Sequence, residues 1–525
     1  MSSENIFDLF VIGGGINGCG IARDAVGRGY SVALAEKGDF ASGTSSAATK
    51  LIHGGLRYLK QMEFALVREV GSERAVVHQL APHLVIPEKM LLPLSEGKSM
   101  GYWLTSIGLK IYDLLAGVKD SDRRRMLSRA ETLRAEPLLK KQGINGGALY
   151  AEYRTDDARL TTEAIKTAVA NGALALNHLE VKQFIRTDGT ITGVRAEDRL
   201  TGSPITVSAT VVVNATGPWV DTLREEDGSK EGKRLHLTKG VHIVVDHHKL
   251  PIKQSIYFEL SDGRMIFAIP RGGKTYIGTT DTDYKGSCEE VGLQEEDISY
   301  LLQGVNESFE GINLTRTDVE SGWAGLRPLI HEDGKSAYEL SRRDEIFESG
   351  SGLISIAGGK LTGYRKMAER VVDLVAEKYL AFGTWGPCQT AEVKLGNAFR
   401  DHASVQAFNR QMLSRAEGEE LKREVLRLAT TYGPAAESIM GAAVMPLTVE
   451  RLFHSELQHA VEQEMVHRPE DFFIRRTGLV YFDIAEARKR MPVALEFFRK
   501  EYGWEFDAPL GVEPLSVTVG RESGL

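Results

Sequence analysis

Cysteine is scarce in this chain. Three residues among 525, Cys19, Cys288 and Cys388, stand far apart and show no Cys-x-x-Cys or Cys/His ligand spacing. A disulfide framework is excluded, no zinc site is indicated, and a reducing cytoplasm is the expected compartment. Long hydrophobic runs are missing as well: no stretch of 18 uncharged apolar residues occurs, so no membrane-spanning helix is expected. The opening MSSENIFDLFVIGGG lacks the basic region, apolar core and cleavage site of an export signal. Nor is positive charge in excess, since 64 Lys and Arg face 72 Asp and Glu for a formal net charge of -8. That argues against nucleic acid as a partner, and any cationic site has to be built locally. Internal repeats and low-complexity tracts are absent too, leaving an ordinary globular composition in a chain long enough for two or three domains.

What is there starts with FDLFVIGGGINGCGIARDAVGRGYSVALAEK. Apolar Leu9, Val11 and Ile12 predict a strand, Gly13, Gly15 and Gly18 form G-x-G-x-x-G, a helix follows, and a second strand ends at Glu36. In a dinucleotide-binding unit Gly13 permits the tight turn, Gly15 lets a pyrophosphate approach the backbone, and Gly18 allows close helix-strand packing. Glu36 is spaced to accept hydrogen bonds from an adenosine ribose, which disfavours NADP and leaves FAD and NAD open.

Three further segments bear on that choice. TVVVNATGPWVD at 210–221 is a buried-strand pattern ending in a small-residue turn at Gly217. GLISIAGGKLTGYRKMAERVVDLVAEKYL at 352–380 is a strand, a Gly358-Gly359 turn, Lys360, then an amphipathic helix whose first N–H groups could stabilise negative charge on a reduced flavin. Either alone would read as an ordinary strand-turn-helix. The third, GTSSAATKLIHGGLRYLK at 43–60, has too many small residues for a core element. Thr44, Ser45 and Ser46 could bond phosphate or ribitol oxygens, while Ala47, Ala48, Gly54 and Gly55 would clear space for a large planar cofactor.

Between 224 and 349 the sequence turns β-rich, with hairpins expected at HLTKGVHIVVD, QSIYFELSDGRMIFAIP and KTYIGTTDTDY, forming an antiparallel wall opposite the cofactor. After 381, helical patterns dominate, and His459 and His467 there read as solvated or capping residues rather than a metal site. SMGYWLTSIGLKIYDLLAG, within residues 99–117, reads equally as a membrane-surface helix and as a core-facing one.

Together VIGGGINGCGIARDA, TSSAATKLIHGGLRYL, VVNATGPWVD, IGTTDTDY, GLRPL, SRRDE, GGKLTGYRKMAE and HAVEQEMVHRPEDFFIRRTG resemble the FAD-dependent, quinone-linked glycerol-3-phosphate dehydrogenase family, within the amine- and hydroxy-acid-oxidising flavoproteins. The matching pieces run from residue 9 to about 482; Gly363 and Arg342 depart from the family's usual pattern. The resemblance implies a mixed α/β fold with a discontinuous Rossmann-like FAD-binding domain (1–80, 146–223 and 350–381), a substrate domain (81–145 and 224–349) and a C-terminal helical domain (382–525). It implies oxidation of sn-glycerol 3-phosphate to dihydroxyacetone phosphate by hydride transfer from C2 to flavin N5, with electrons passed to ubiquinone or menaquinone. A homodimer, peripheral on the inner face of the cytoplasmic membrane, is implied as well.

The resemblance further implies substrate contacts at Arg57, Tyr58, Thr279, Arg327 and Arg343, and the three arginines suit a phosphate monoester, which carries about -1.5 to -2 charges and calls for guanidinium forks. His53, Arg57, Arg327 and Lys360 are the catalytic candidates. His53 would take the hydroxyl proton directly or by relay, or only hydrogen-bond the backbone or cofactor, in which case Arg327 would lower the alcohol's pKa. FAD contacts are expected at Gly13, Gly15, Asn17, Gly18, Glu36, Thr44, Ser45, Ser46, Lys50, Gly54, Gly217, Gly359, Lys360, Leu361 and Thr362. Two rival functions stay open: a soluble oxidase passing electrons to oxygen and releasing peroxide, and a flavin-binding sensor without turnover.

Overall fold

Two β-sheets and a helical C-terminal region make up the computed structural model, which describes residues 6–53, 64–95, 124–331, 344–380, 383, 385–396 and 398–506. The first sheet is built around β1 (Phe7–Ile12). Leu9 and Val11 on one face pack with Ile21, Ala22 and Ala25 of α1 (Ile16–Gly27), while Phe10 and Ile12 on the other meet Phe184, Val194 and Val212. A strand buried on both faces reads as an unbroken apolar run, as this one does over Leu9–Ile12. β1 pairs in parallel with Pro204–Asn214 on one side and with β2 (Val32–Ala35) on the other. The order continues outward to Leu174–Leu176 and, at the opposite end, to Ile354–Gly358 and Asp344–Glu348. The helices Asp157–Ala170 and Tyr364–Lys378 flank α1.

Among the described residues the second sheet has ten strands, with Leu235–Asp246 and Val319–Ile330 paired along nearly their full lengths. Its outer face is closed by the helix Glu295–Ser308, whose Ile298, Leu301 and Val305 pack on Val241, Ile243 and Ile277. The expected domain boundaries need correction. Ile144–Arg154 pairs with Ile86–Ser95 in the second sheet, so residue 146 falls inside a strand of the wall, and Leu51–Ile52 joins the same sheet. Conversely Asp344–Glu348, expected in the substrate domain, pairs with Ile354–Gly358 on the edge of the first. The wall is also not purely antiparallel, since Ser255–Glu259 runs parallel to Ile86–Ser95. Local periodicity identifies a strand; which sheet it enters is decided by long-range pairing that no local pattern records.

Beyond 400 the chain is helical, and this region is tied to the first domain by buried ion pairs, including Arg159 to Glu464 at 2.6 Å. His459 and His467, expected as solvated or capping, are both half-buried: His459 packs edge-on against Tyr432, and His467 lies 5.8 Å from the ring of His178 while its backbone N–H donates to Asp471 Oδ2 at 3.0 Å. Among the described residues no helix is long and apolar enough to cross a membrane. Residues 99–117 lie outside the described residues.

Candidate functional site

Residues of both sheets line a cavity of about 570 Å³, in the range of small-molecule and cofactor sites. One end is the turn between β1 and α1. Gly13 has φ +110°, and a side chain there would lie 2.6 Å from the Ala215 carbonyl oxygen. Gly15 caps α1 in an extended conformation, and a Cβ on it would meet only Ser45 Oγ, at 3.2 Å. Ser45 Oγ in turn accepts a hydrogen bond from Ile16 N–H at 2.9 Å. Gly15, Ile16 and Asn17 thus present a helix N-terminus to the cavity, a natural anion seat. Gly18 does not line it; a Cβ there would lie 1.9 Å from Gly13 O, so its role is helix-strand packing.

Glu36 closes this end. Its carboxylate accepts hydrogen bonds from Gly14 N–H at 2.6 Å and Gly38 N–H at 2.8 Å. Burial pushes the carboxyl's pKa up, while those two bonds pull it down. A glycine cradle, a helix N-terminus and a buried acid at the end of the second strand fit the phosphates and ribose of a dinucleotide.

At the other end lie Gly358, Gly359, Lys360, Leu361 and Thr362. Gly359 takes φ +78° to make the turn, and Thr362 donates its hydroxyl to the His53 carbonyl at 3.1 Å, tying this turn to the one expected across the ring. His53, Ala47, Ala48 and Gly217 line the cavity, as do Thr44 and Ser45. The small residues have a second cause besides clearance: a Cβ on Gly325 would lie 2.7 Å from Ala47 Cβ, so the 44–48 turn packs directly on the strand beside it.

Three expected cofactor contacts are arranged differently. The Thr44 hydroxyl donates to Leu326 O at 2.7 Å. Ser46 is buried and does not line the cavity. Lys50 also stays outside the lining, its amine held by Asp157 at 2.5 Å and by Ser46 O at 2.9 Å. Here the sequence shows which side chains could bond an oxygen, while the turn's conformation decides which way each points.

On the second sheet Arg327 projects across Gly240, where a Cβ would lie 2.4 Å from Nη2. Its guanidinium donates to Thr279 Oγ1 at 2.8 Å, Thr280 O at 3.1 Å and Asp281 Oδ1 at 3.0 Å, and Arg327, Thr279 and Asp281 all line the cavity. The ion pair with Asp281 tempers the charge but fixes the fork. Behind this wall His242 stacks on Trp323, centroids 4.8 Å apart, and burial together with the Arg327 and Lys50 charges pushes its pKa well down. Gly54, Arg57, Tyr58 and Arg343 lie outside the described residues.

Sequence reasoning missed a contact across the cavity rim. Lys37 Nζ sits 3.9 Å over the Trp219 ring and 2.5 Å from Glu289, and Trp219 Nε1 donates to the same Glu289 oxygen at 2.7 Å. All three line the cavity. Glu289 lies in a polar loop without periodicity, so nothing local marks it. The stacked Tyr257 and Phe267 in the wall, 4.2 Å apart, were likewise visible only as hairpin residues. Among the described residues no group of three His, Cys, Asp or Glu could hold a metal.

The model of the FAD dependent oxidoreductases matches residues 8–365, and that of the C-terminal domain of alpha-glycerophosphate oxidase matches 388–508. The aerobic glycerol-3-phosphate dehydrogenase of Bacillus subtilis (strain 168) is 48% identical over 521 residues, spanning 96% of this chain and 93% of its own. The same-named protein of Staphylococcus aureus (strain USA300) is 48% identical over 494 residues, 91% of this chain and 88% of its own. Among solved structures, the glycerol-3-phosphate dehydrogenase from Bacillus halodurans complexed with FAD superposes with a TM-score of 0.80 at 45% identity, covering 96% of this chain and 92% of that one. The FAD-bound L-alpha-glycerophosphate oxidase from Mycoplasma pneumoniae shares the fold, with a TM-score of 0.59 at 17% identity over 74% of this chain and 99% of that one.

Proposed function

Because the chain belongs to the FAD-dependent oxidoreductases, and among them to the glycerol-3-phosphate dehydrogenase family, we propose that it oxidises sn-glycerol 3-phosphate to dihydroxyacetone phosphate. The observation that carries the reading is Arg327, fixed by Thr279 and Asp281 on the cavity wall. In this reading Arg327 grips the substrate phosphate and Thr279 bonds the substrate, with Arg57, Arg343 and Tyr58 as the further substrate contacts that the family resemblance implies. FAD, when bound, would supply the two-electron acceptor for the hydride from C2. His53 accepts the C2 hydroxyl proton, and Lys360 stands at the turn where negative charge builds during the reaction.

The electron acceptor in this reading is ubiquinone or menaquinone. Peripheral attachment to the inner face of the cytoplasmic membrane and a homodimer belong to the same proposal and rest on the family resemblance. Anaerobic addition of glycerol 3-phosphate should bleach the flavin absorption, and a spectrum that stays yellow would refute the substrate and favour the sensor reading. The match of 388–508 to an oxidase domain supports a second reading, oxygen as acceptor. Peroxide release measured against reduction of an added quinone analogue separates the two.

A further inference from the structure

We propose that Arg476, together with Arg475, is a positioning residue for FAD. Acting through Asp39, the pair holds the loop that carries Glu36, which makes the C-terminal helical domain part of the framework of the nucleotide site. The inference rests on the FAD assignment and not on the identity of the substrate.

The Asp39 carboxylate is buried and fully engaged. Oδ2 accepts from Arg475 Nε at 2.6 Å and Arg476 Nη1 at 2.7 Å. Oδ1 accepts from Arg476 Nη2 at 2.8 Å and Asn177 Nδ2 at 2.9 Å. Adjacent side chains on a helix diverge by about 100°, so two consecutive arginines meeting on one oxygen is a specific arrangement. The segment that achieves it, Asp471–Arg476, is π-helical, a rare form found frequently at functional sites. Arg476 has no exposure at all and is anchored from behind by Glu464 O at 2.6 Å, while Arg475 also pairs with Asp471 at 2.5 Å.

From Asp39 the connection to the nucleotide end is short. Asp39 O accepts from Ser42 N–H at 3.0 Å, and the Ser42 hydroxyl donates to Glu36 Oε1 at 3.3 Å. Ala41 N–H donates to Gly14 O at 3.0 Å, and Gly14 N–H donates to the other Glu36 oxygen. Moving Asp39 therefore moves the residues that fix both the ribose-facing acid and the phosphate-facing turn. Without its partners the buried carboxylate would be expelled toward water and the loop would open.

Coupling of this kind is reciprocal. In the wild-type protein, FAD binding should slow amide hydrogen exchange across residues 464–478, none of which lines the cavity. Asp39→Asn and Arg476→Gln should each raise the FAD dissociation constant at least tenfold, the double variant no more than either single, and Arg476→Lys should fall between. A purely structural salt bridge would lower thermal stability and leave FAD affinity within twofold of the parent, which would overturn the proposal. So would identical exchange in 464–478 with and without FAD, a measurement that needs no variant to fold. A parent chain that takes up no FAD would overturn the cofactor assignment and this inference together.

Discussion

Arg327 lies in one strand of the second sheet and Thr279 just past the end of another, Lys274–Gly278, and the 2.8 Å bond from Nη2 to Oγ1 fixes the guanidinium plane across Gly240. A charge-assisted hydrogen bond contributes about 1.5–3 kcal/mol, roughly 10- to 150-fold in binding. Arg327→Ala should raise KM for glycerol 3-phosphate by that factor with FAD retained, and Arg327→Lys should recover only part of it because one ammonium cannot replace the fork. Unchanged steady-state kinetics would remove Arg327 from the site.

Gly15 and Gly18 should fail in different ways. A side chain at Gly15 meets only a serine hydroxyl and otherwise enters the cavity, so Gly15→Val should give folded, colourless protein with near-parental circular dichroism. At Gly18 the added carbon would collide with Gly13 O, so Gly18→Ala should lose stability as well as cofactor, seen as a fall in Tm.

The Lys37–Trp219–Glu289 contact spans the cavity rim and is partly exposed, with the Glu289 side chain at 59%. Exposed pairs contribute about 0.2–1 kcal/mol, so Glu289→Gln should speed FAD release up to about fivefold. Raising the salt should accelerate release from the parent and leave the variant nearly unaffected; fluorescence dequenching after dilution measures both.

His242 and His83 predict how stability responds to acid. Burial drives His242 well below its usual pKa and takes His83 down to about 4. Below about pH 6.5 the unfolded chain takes up protons that these folded imidazoles refuse, so stability falls as pH drops toward their folded pKa values, by up to about 1.4 kcal/mol per unit for each. His242→Phe, which keeps a ring against Trp323, should flatten the decline of Tm between pH 7 and pH 5 relative to the parent.

Much of the nucleotide end was legible because its chemistry is local: Gly13, Gly15 and Glu36 sit within one strand-turn-helix-strand unit whose spacing carries the geometry. Gly359 and Lys360 were legible for the same reason. Lys50 and Ser46 stand outside the cavity lining, a placement that residue type could not give because it says nothing of direction inside an irregular turn. The strands Ile144–Arg154 and Asp344–Glu348 were recognisable as elements, yet their sheets were not, since a strand's partner lies far away in the chain. Asp39, Arg475 and Arg476 had no local signature whatever, for a buried ion pair becomes visible only when both ends are placed.

The distance in sequence between Asp39 and Arg476, 437 residues, also sets an order of events in biosynthesis. At about 5–20 residues per second, a ribosome needs roughly 20–90 s to travel from one to the other. Throughout that interval the nascent polypeptide exposes an aspartate whose counterions have not been made. Tight flavin binding therefore has to wait until Arg475 and Arg476 have been made, and a stop codon just before Arg475 should leave a product that holds FAD at least tenfold more weakly than the parent.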